Sequence, residues 1–330
     1  MPRGWSRRTK LFLSLAVLYV FWGGSYLVTS IGVQSLPPFL MGAVRFTLSG
    51  LALFGLARLF GEDRPQLTAT EWRHLAIVGF LTVLVSNGLN VWSLQWLPSN
   101  QAALLNVSSA FWITLLGTLG RRGHPITARV GVGLAIGAGG VALILWPGGG
   151  EMPVPGAAAL VGTTMKPYPL GSSLVPQLVI LLGCFGWAVG TAYLRNVESH
   201  LGLLTFTGLQ MFVGGLMLFV PATLAGDFAA WHWSLAGVGA LFYLMVFNSL
   251  LAYTAYAWLS KHATPGQTGS YGLVNPAVAT LLGWLVLDER LSLAQWIGTI
   301  VILAGVLMVT WPRAARPAAS VPAPTAEAPQ

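Results

Sequence analysis

The feature that most constrains this chain is a series of apolar stretches about twenty residues long and nearly free of charge. Short intervals between them hold almost all of the charged residues. Hydrocarbon excludes charge and offers the backbone no hydrogen-bond partner, so a crossing segment must satisfy its own N–H and C=O groups as a helix. Charged residues are 8% of the 330, against about a quarter in a soluble domain, and the mean hydropathy is +0.71. The chain is therefore predicted to be an all-α integral membrane protein with ten transmembrane helices, near 11–31, 37–59, 74–96, 99–119, 127–146, 174–194, 203–224, 235–257, 265–287 and 293–311.

The basic residues give a direction to these spans. With the amino terminus in the cytoplasm, fourteen Lys and Arg fall in inside segments, from Arg3, Arg7, Arg8 and Lys10 to Arg313 and Arg316, and only Lys166 and Arg290 fall outside. That asymmetry is the positive-inside pattern with both termini cytoplasmic. The net charge of +8 and pI near 10.1 do not indicate a nucleic-acid partner, because the basic residues lie in the gaps and form no stripe. The basic start and the apolar run from Leu11 resemble a signal peptide, but the run continues to about Val33 without a convincing cleavage site and reads as a retained helix. Residues 147–173, rich in Pro and Gly, are expected to form an extracytoplasmic linker, and residues 312–330 a disordered cytoplasmic tail.

The two halves resemble each other. Residues 99–146 align with 265–312 at a constant offset of 166, placing Gln101 on Gln267, Gly117 on Gly283 and Ala138-Gly139 on Ala304-Gly305. Trp96-Leu97 corresponds to Trp258-Leu259, and Trp22 to Trp187. Two repeats are predicted, 1–146 and 174–311, each of five spans. Five is odd, so the second copy must run inverted through the membrane, an arrangement typical of transporters.

Arg45 lies well inside the second span and no acidic residue lies within any span to pair with it. An arginine at that depth must face the bundle interior or water. It either meets an anionic group of a solute or pins neighbouring helices, with snorkelling to the interface as a further structural role. Asn87 and Asn90 share one face of the third span; Gln210, Asn248, Tyr253, Tyr271 and Asn275 are thinner counterparts in the second half. Each alone serves as helix–helix glue, but as a set, with Trp22 as an aromatic wall, they are candidates to line a pathway. Gly266, Gly269 and Gly272, followed by Pro276, are candidates for a softened or kinked gating helix, with close packing the plainer role. Asp288, Glu289 and Arg290 read as local salt bridging at the outer interface.

No catalytic residue, cofactor or metal site is expected. HExxH, GxSxG and Walker sequences are absent, Cys184 is the only cysteine, and no nucleotide-binding loop provides or indicates an ATPase. The stretches LAVLYVFWGGSYLVTS, PPFLMGAVRFTLSGL and YGLVNPAVATLLGWLVLDERLSLAQWIGTIVILAGVLMV resemble the EamA family of the drug/metabolite transporter superfamily, over about residues 11–311. The resemblance implies an inverted five-plus-five fold, a central cavity, and export of amino acids, other metabolites or toxic compounds across the bacterial inner membrane. It places the family's second-span arginine at Arg45, its first-span tryptophan at Trp22, its ninth-span proline at Pro276 and its acidic residue at Glu289. Ala110 and Gly123 stand where the repeat predicts counterparts of Pro276 and Glu289, a departure from close symmetry.

The expected function is a secondary transporter exporting small metabolites, amino acids or related amphipathic compounds, by alternating access. Its partners would be the solute, membrane lipids, and protons or a counter-solute, with monomer and homodimer both open. A sugar, nucleotide-sugar or xenobiotic carrier is the alternative within transport; a structural or lipid-handling membrane protein is the alternative outside it.

Overall fold

The computed structural model describes residues 6–62, 67–116, 127–145, 174–263 and 271–310, and every regular element among them is a helix. The expected linker 147–173, the tail 312–330, and Gly266 and Gly269 lie outside the described residues. Helix α1 (Arg7–Gly32) starts upstream of residue 11 because the Ser6 hydroxyl accepts from the Thr9 N–H at 3.1 Å and caps it there. Helix α2 (Pro38–Leu59) opens on a proline at its first position, where no intrahelical N–H is needed. Helix α3 (Ala69–Ser93) is capped by Thr68 and contains a π-helical segment, Phe80–Gly88.

The predicted fourth span is two pieces, α4 (Ser99–Asn106) and α5 (Ser109–Leu116), separated at Val107 and Ser108. The first piece, SNQAALLN, carries Ser, Gln and two Asn, whereas the second, SAFWITLL, is almost wholly apolar, so the break falls at a change of character that reading one continuous span conceals. The series continues with α6 (Ala128–Leu145), α7 (Leu174–Asn196) and α8 (Leu203–Leu224). Helix α9 is built of Leu235–Tyr243, a second π segment at Leu244–Ala252, and Tyr253–His262. Then come α10 (Tyr271–Leu287), which runs unbroken through Pro276, and α11 (Leu293–Thr310).

Seven of the described helices are long and apolar enough to cross a membrane. Their outer surface is one that water would not tolerate: Leu59, Leu224 and Leu235 are each more than four-fifths exposed. This is a multi-pass membrane fold.

The packing is reciprocal. Helix α1 lies along α9 and α10, whereas α7 lies along α3, α4 and α5. The tightest crossings join α2 to α8 and α6 to α11. At the first, a Cβ on Gly50 would overlap Phe212 N and come within 2.7 Å of Gly208 O, and one on Gly208 would come within 2.7 Å of Phe54 N. Without hydrophobic force between helices in lipid, such close backbone approach supplies the dispersion that holds them. The contacts run 54 with 208, 50 with 212 and 47 with 215, so α2 and α8 are antiparallel. Helices α6 and α11 are antiparallel too, through Gly140 with Gly298 and Gly133 with Gly305.

Both ends of the α2–α8 pair are tied by the same device. Gly61 (φ 82°) and Gly226 (φ 73°) end α2 and α8 in the left-handed conformation that glycine adopts without strain. The next residue in each case is acidic. Glu62 accepts from Leu204 N (3.0 Å) and Thr205 N (2.9 Å) at the start of α8, and Asp227 accepts from Leu40 N (3.0 Å) at the start of α2. A carboxylate at a helix N-terminus satisfies orphan donors and meets the positive end of the helix dipole. The glycine–acid pairs are 165 residues apart in sequence.

Glu289 overturns the expectation of plain interfacial salt bridging. Arg290 does pair with Asp288 at 3.7 Å, but Glu289 is buried and points inward. Its carboxylate accepts from Ser99 N (2.7 Å), Ser99 Oγ (2.8 Å) and Asn100 N (3.0 Å), holding the start of α4. Asp288, with a φ of 52°, turns the chain so that Glu289 can reach it. Burial raises the Glu289 carboxyl above its usual pKa against the lowering effect of those three hydrogen bonds; burial raises Asp227 likewise.

Candidate functional site

A cavity of about 310 Å³ opens between the two halves, within the range of roughly 300–1,000 Å³ typical of small-molecule sites. Arg45 forms part of its wall from α2, facing α9. The Arg45 Nε donates to Ser249 Oγ and Nη2 donates to Asn248 Oδ1, both at 3.0 Å, and the guanidinium carbon lies 4.5 Å above the Phe46 ring. Both acceptors are neutral and both belong to the π segment of α9. That segment's wide turns set Asn248 and Ser249 side by side against Arg45, in keeping with the frequent placement of π turns at functional sites. Asn248 is itself held, its Nδ2 donating to Phe21 O and its own carbonyl accepting from Trp22 Nε1, each at 3.4 Å.

Among the described residues no carboxylate lines the cavity and Arg45 has no ionic partner. Arg45 is thus a buried cation whose hydrogen-bond partners among the described residues are both neutral. Near it, Trp22 packs against Tyr253, Tyr256 and Tyr271 with ring centroids 5.2–5.3 Å apart. The site thus offers one fixed positive charge, neutral amide and hydroxyl groups, and an aromatic face.

The EamA-like transporter family model matches residues 10–146 and again 175–311. A relative from Escherichia coli K12, described as the uncharacterized inner membrane transporter YedA, is 32% identical over 95% of each chain. The uncharacterized transporter YvbV of Bacillus subtilis is 23% identical over 95% of this chain and 96% of its own. A solved crystal structure shares the fold at 18% identity, with a TM-score of 0.58 over 92% of this chain and 97% of that one. The chain belongs to the EamA-like transporter family. It is a membrane carrier of small molecules and not an enzyme.

In this EamA-like fold the cavity wall gathers most of the residues singled out from sequence. Trp22, Arg45, Asn87, Asn90, Asn248, Tyr253, Tyr271, Gly272, Asn275 and Pro276 all line it. Gln210 does not. It is buried on α8, which packs on α2 and α3, and its Oε1 has no hydrogen-bond partner among the described residues. It stands 165 residues after Arg45, at the matching place in the second half, so a neutral amide there replaces the cation. Pro276 lines the cavity inside an unbroken helix rather than at a break.

The stripe that sequence reading missed is on α1. Ser25, Tyr26 and Thr29 line the cavity together with Trp22, at positions i, i+3, i+4 and i+7. That spacing marks one helix face and was visible in the sequence. In α3, Asn87 spends its amide on Thr82 O at 2.7 Å, five residues back, a contact the π segment creates.

Proposed function

We propose that this EamA-like chain is a secondary carrier that exports small solutes bearing a carboxylate, amino acids foremost, from the bacterial cytoplasm by alternating access. The observation that carries the reading is Arg45: a buried guanidinium on the wall of a solute-sized cavity, compensated only by neutral Ser249 and Asn248. The solute's carboxylate takes the remaining N–H groups, the aromatic cluster around Trp22 takes its apolar or ammonium part, and Asn87, Asn90 and Asn275 border the rest. A multiply charged phosphate fits less well, since one buried cation compensates it poorly.

Ten membrane-crossing segments in two inverted five-helix repeats, bounded as 1–146 and 174–311, are part of the proposal. The antiparallel α2–α8 and α6–α11 pairs, and the exchange by which α1 and α7 each pack on the other half, support it. The inner-membrane description of the Escherichia coli relative supports that location, and the distribution of Lys and Arg supports cytoplasmic termini. No Asp or Glu lies inside a predicted span, which favours exchange or facilitated diffusion over an intramembrane proton relay.

Counterflow in proteoliposomes tests the reading. Saturable exchange of one amino-acid class is expected for the native protein and is expected to be lost in a folded Arg45→Ala variant. Native flux in that variant refutes the assignment of Arg45.

A further inference from the structure

The carboxylate ties described above are unequal in what they close. The Glu62 and Asp227 ties join α2 and α8, whose contact is continuous along glycine-rich faces. The Glu289 tie joins the end of α10 to the start of α4, and both of these helices line the cavity. The cavity reaches Leu94 at the end of α3. Immediately beyond, Leu94 and Leu97 are buried in an apolar cluster that Val33 and Leu291 pack against. Leu291 is two residues past Glu289, so the tie and the plug are parts of one closure.

Repeat symmetry asks for an equivalent tie at the opposite mouth, between the end of the fourth span and the start of the ninth predicted span, where Pro265 and Gly266 correspond to Ser99 and Asn100. At the offset of 166 the position of Glu289 corresponds to Gly123, and residues 117–126 contain no Asp or Glu at all. Arg121 and Arg122 are there instead. No carboxylate tie can be made from that stretch; the tie that Glu71 makes at the same end, accepting from Ser199 Oγ (2.8 Å) and His200 N (3.1 Å), joins the start of α3 to the turn after α7 and not the fourth span to α10.

We propose that Glu289 is a positioning residue that latches α10 to α4 and holds the outer mouth of the cavity shut, and that the missing counterpart makes the outward-closed form the resting state. The proposal rests on the carrier reading and adds to it a gate and a preferred facing. It fits export, because a resting carrier closed to the outside loads from the cytoplasm. The physical basis is that Ser99 N and Asn100 N lose their acceptor when the carboxylate is removed. Buried, they remain unsatisfied; in an opened mouth, water satisfies them.

The test is accessibility, which needs no solute. Cys184, the only cysteine, is replaced by alanine, and Ala110→Cys places a reporter on the cavity wall. Its reaction with a membrane-impermeant maleimide is followed in right-side-out membrane vesicles. Labelling is expected to be slow with Glu289 present, and about tenfold faster in Glu289→Ala. Ser99→Ala, which removes one of the three hydrogen bonds, is expected to give a smaller increase and serves if Glu289→Ala does not fold. Asp227→Ala removes a tie of the same kind away from the cavity and is expected to leave the rate unchanged. An unchanged rate in both the Glu289→Ala and Ser99→Ala proteins, or an equal rise in Asp227→Ala, overturns the latch. Rapid outside labelling with Glu289 intact overturns the resting state. If counterflow fails while these rates behave as stated, the solute assignment falls and the latch stands.

Discussion

The close approach of α2 to α8 leaves no room for a single added methyl. Adding one methyl at Gly50 would overlap Phe212 N and place carbon 2.7 Å from Gly208 O and 2.8 Å from Phe212 Cα. Ordinary contact needs about 3.4 Å or more, and all three obstacles are backbone, so the two helices must part by roughly an ångström. Overpacking of this kind costs about 1–3 kcal/mol. Gly55 lies on the same helix with nothing within 4 Å of an added Cβ. There, alanine is expected to gain roughly 0.5–1 kcal/mol from lower backbone entropy loss. Gly50→Ala and Gly55→Ala should therefore move in opposite directions from the native protein and differ from each other by about 1.5–4 kcal/mol. Thermal unfolding of the three purified proteins in one detergent reads this as a lowered midpoint for the first and a level or raised one for the second. A Gly50→Ala protein that melts with or above Gly55→Ala would refute the tight crossing.

Other outcomes follow from the charged groups. Asp227 and Glu289 both titrate above ordinary carboxylates because burial disfavours their charge. The folded protein then binds these protons more tightly than the unfolded chain. The stability they contribute is full below the ordinary carboxylate range and is lost as pH rises through their raised values, and Asp227→Asn with Glu289→Gln should flatten that part of the melting-point profile. Asn248→Leu removes the acceptor for Arg45 Nη2 and is expected to raise the half-saturation for counterflow about tenfold. Asn248→Asp should do more harm, since it gives Arg45 the counter-charge that the solute is held to supply; improved affinity in that variant would contradict the anion site.

Seven membrane-crossing helices, the burial of Arg45 and most of the residues around the cavity were legible in the sequence, because all three rest on one rule. Charge and polarity at membrane depth are expensive, so their positions are informative. The rule weakens at the helix ends. Glu62, Asp227 and Glu289 fall where a carboxylate is ordinarily solvated, and nothing in their local sequence shows that each meets the start of a distant helix. The recurrence of Gly61-Glu62 as Gly226-Asp227 was the available clue, yet it lies outside the stretch where the repeat is gap-free. The π segments and the division between α4 and α5 were hidden for another reason. They depend on backbone hydrogen-bond register, which an apolar pattern of Leu, Val and Asn does not encode. Gln210 lies off the cavity because polarity within a span does not say which face it occupies, and α8 turns that face to its neighbours.

The paired ties of α2 and α8 also bear on how such a chain is built. Each half offers an acid after one helix and a bare helix start for the other half's acid, so the complementarity is of one surface with itself. On the proposed inverted-repeat architecture, a half carrying both elements makes both ties at once with an upside-down copy of itself. Joined in one chain, the two copies need not match position for position, as Arg45 against Gln210 and Glu289 against Gly123 illustrate, and the two ends of the molecule can differ.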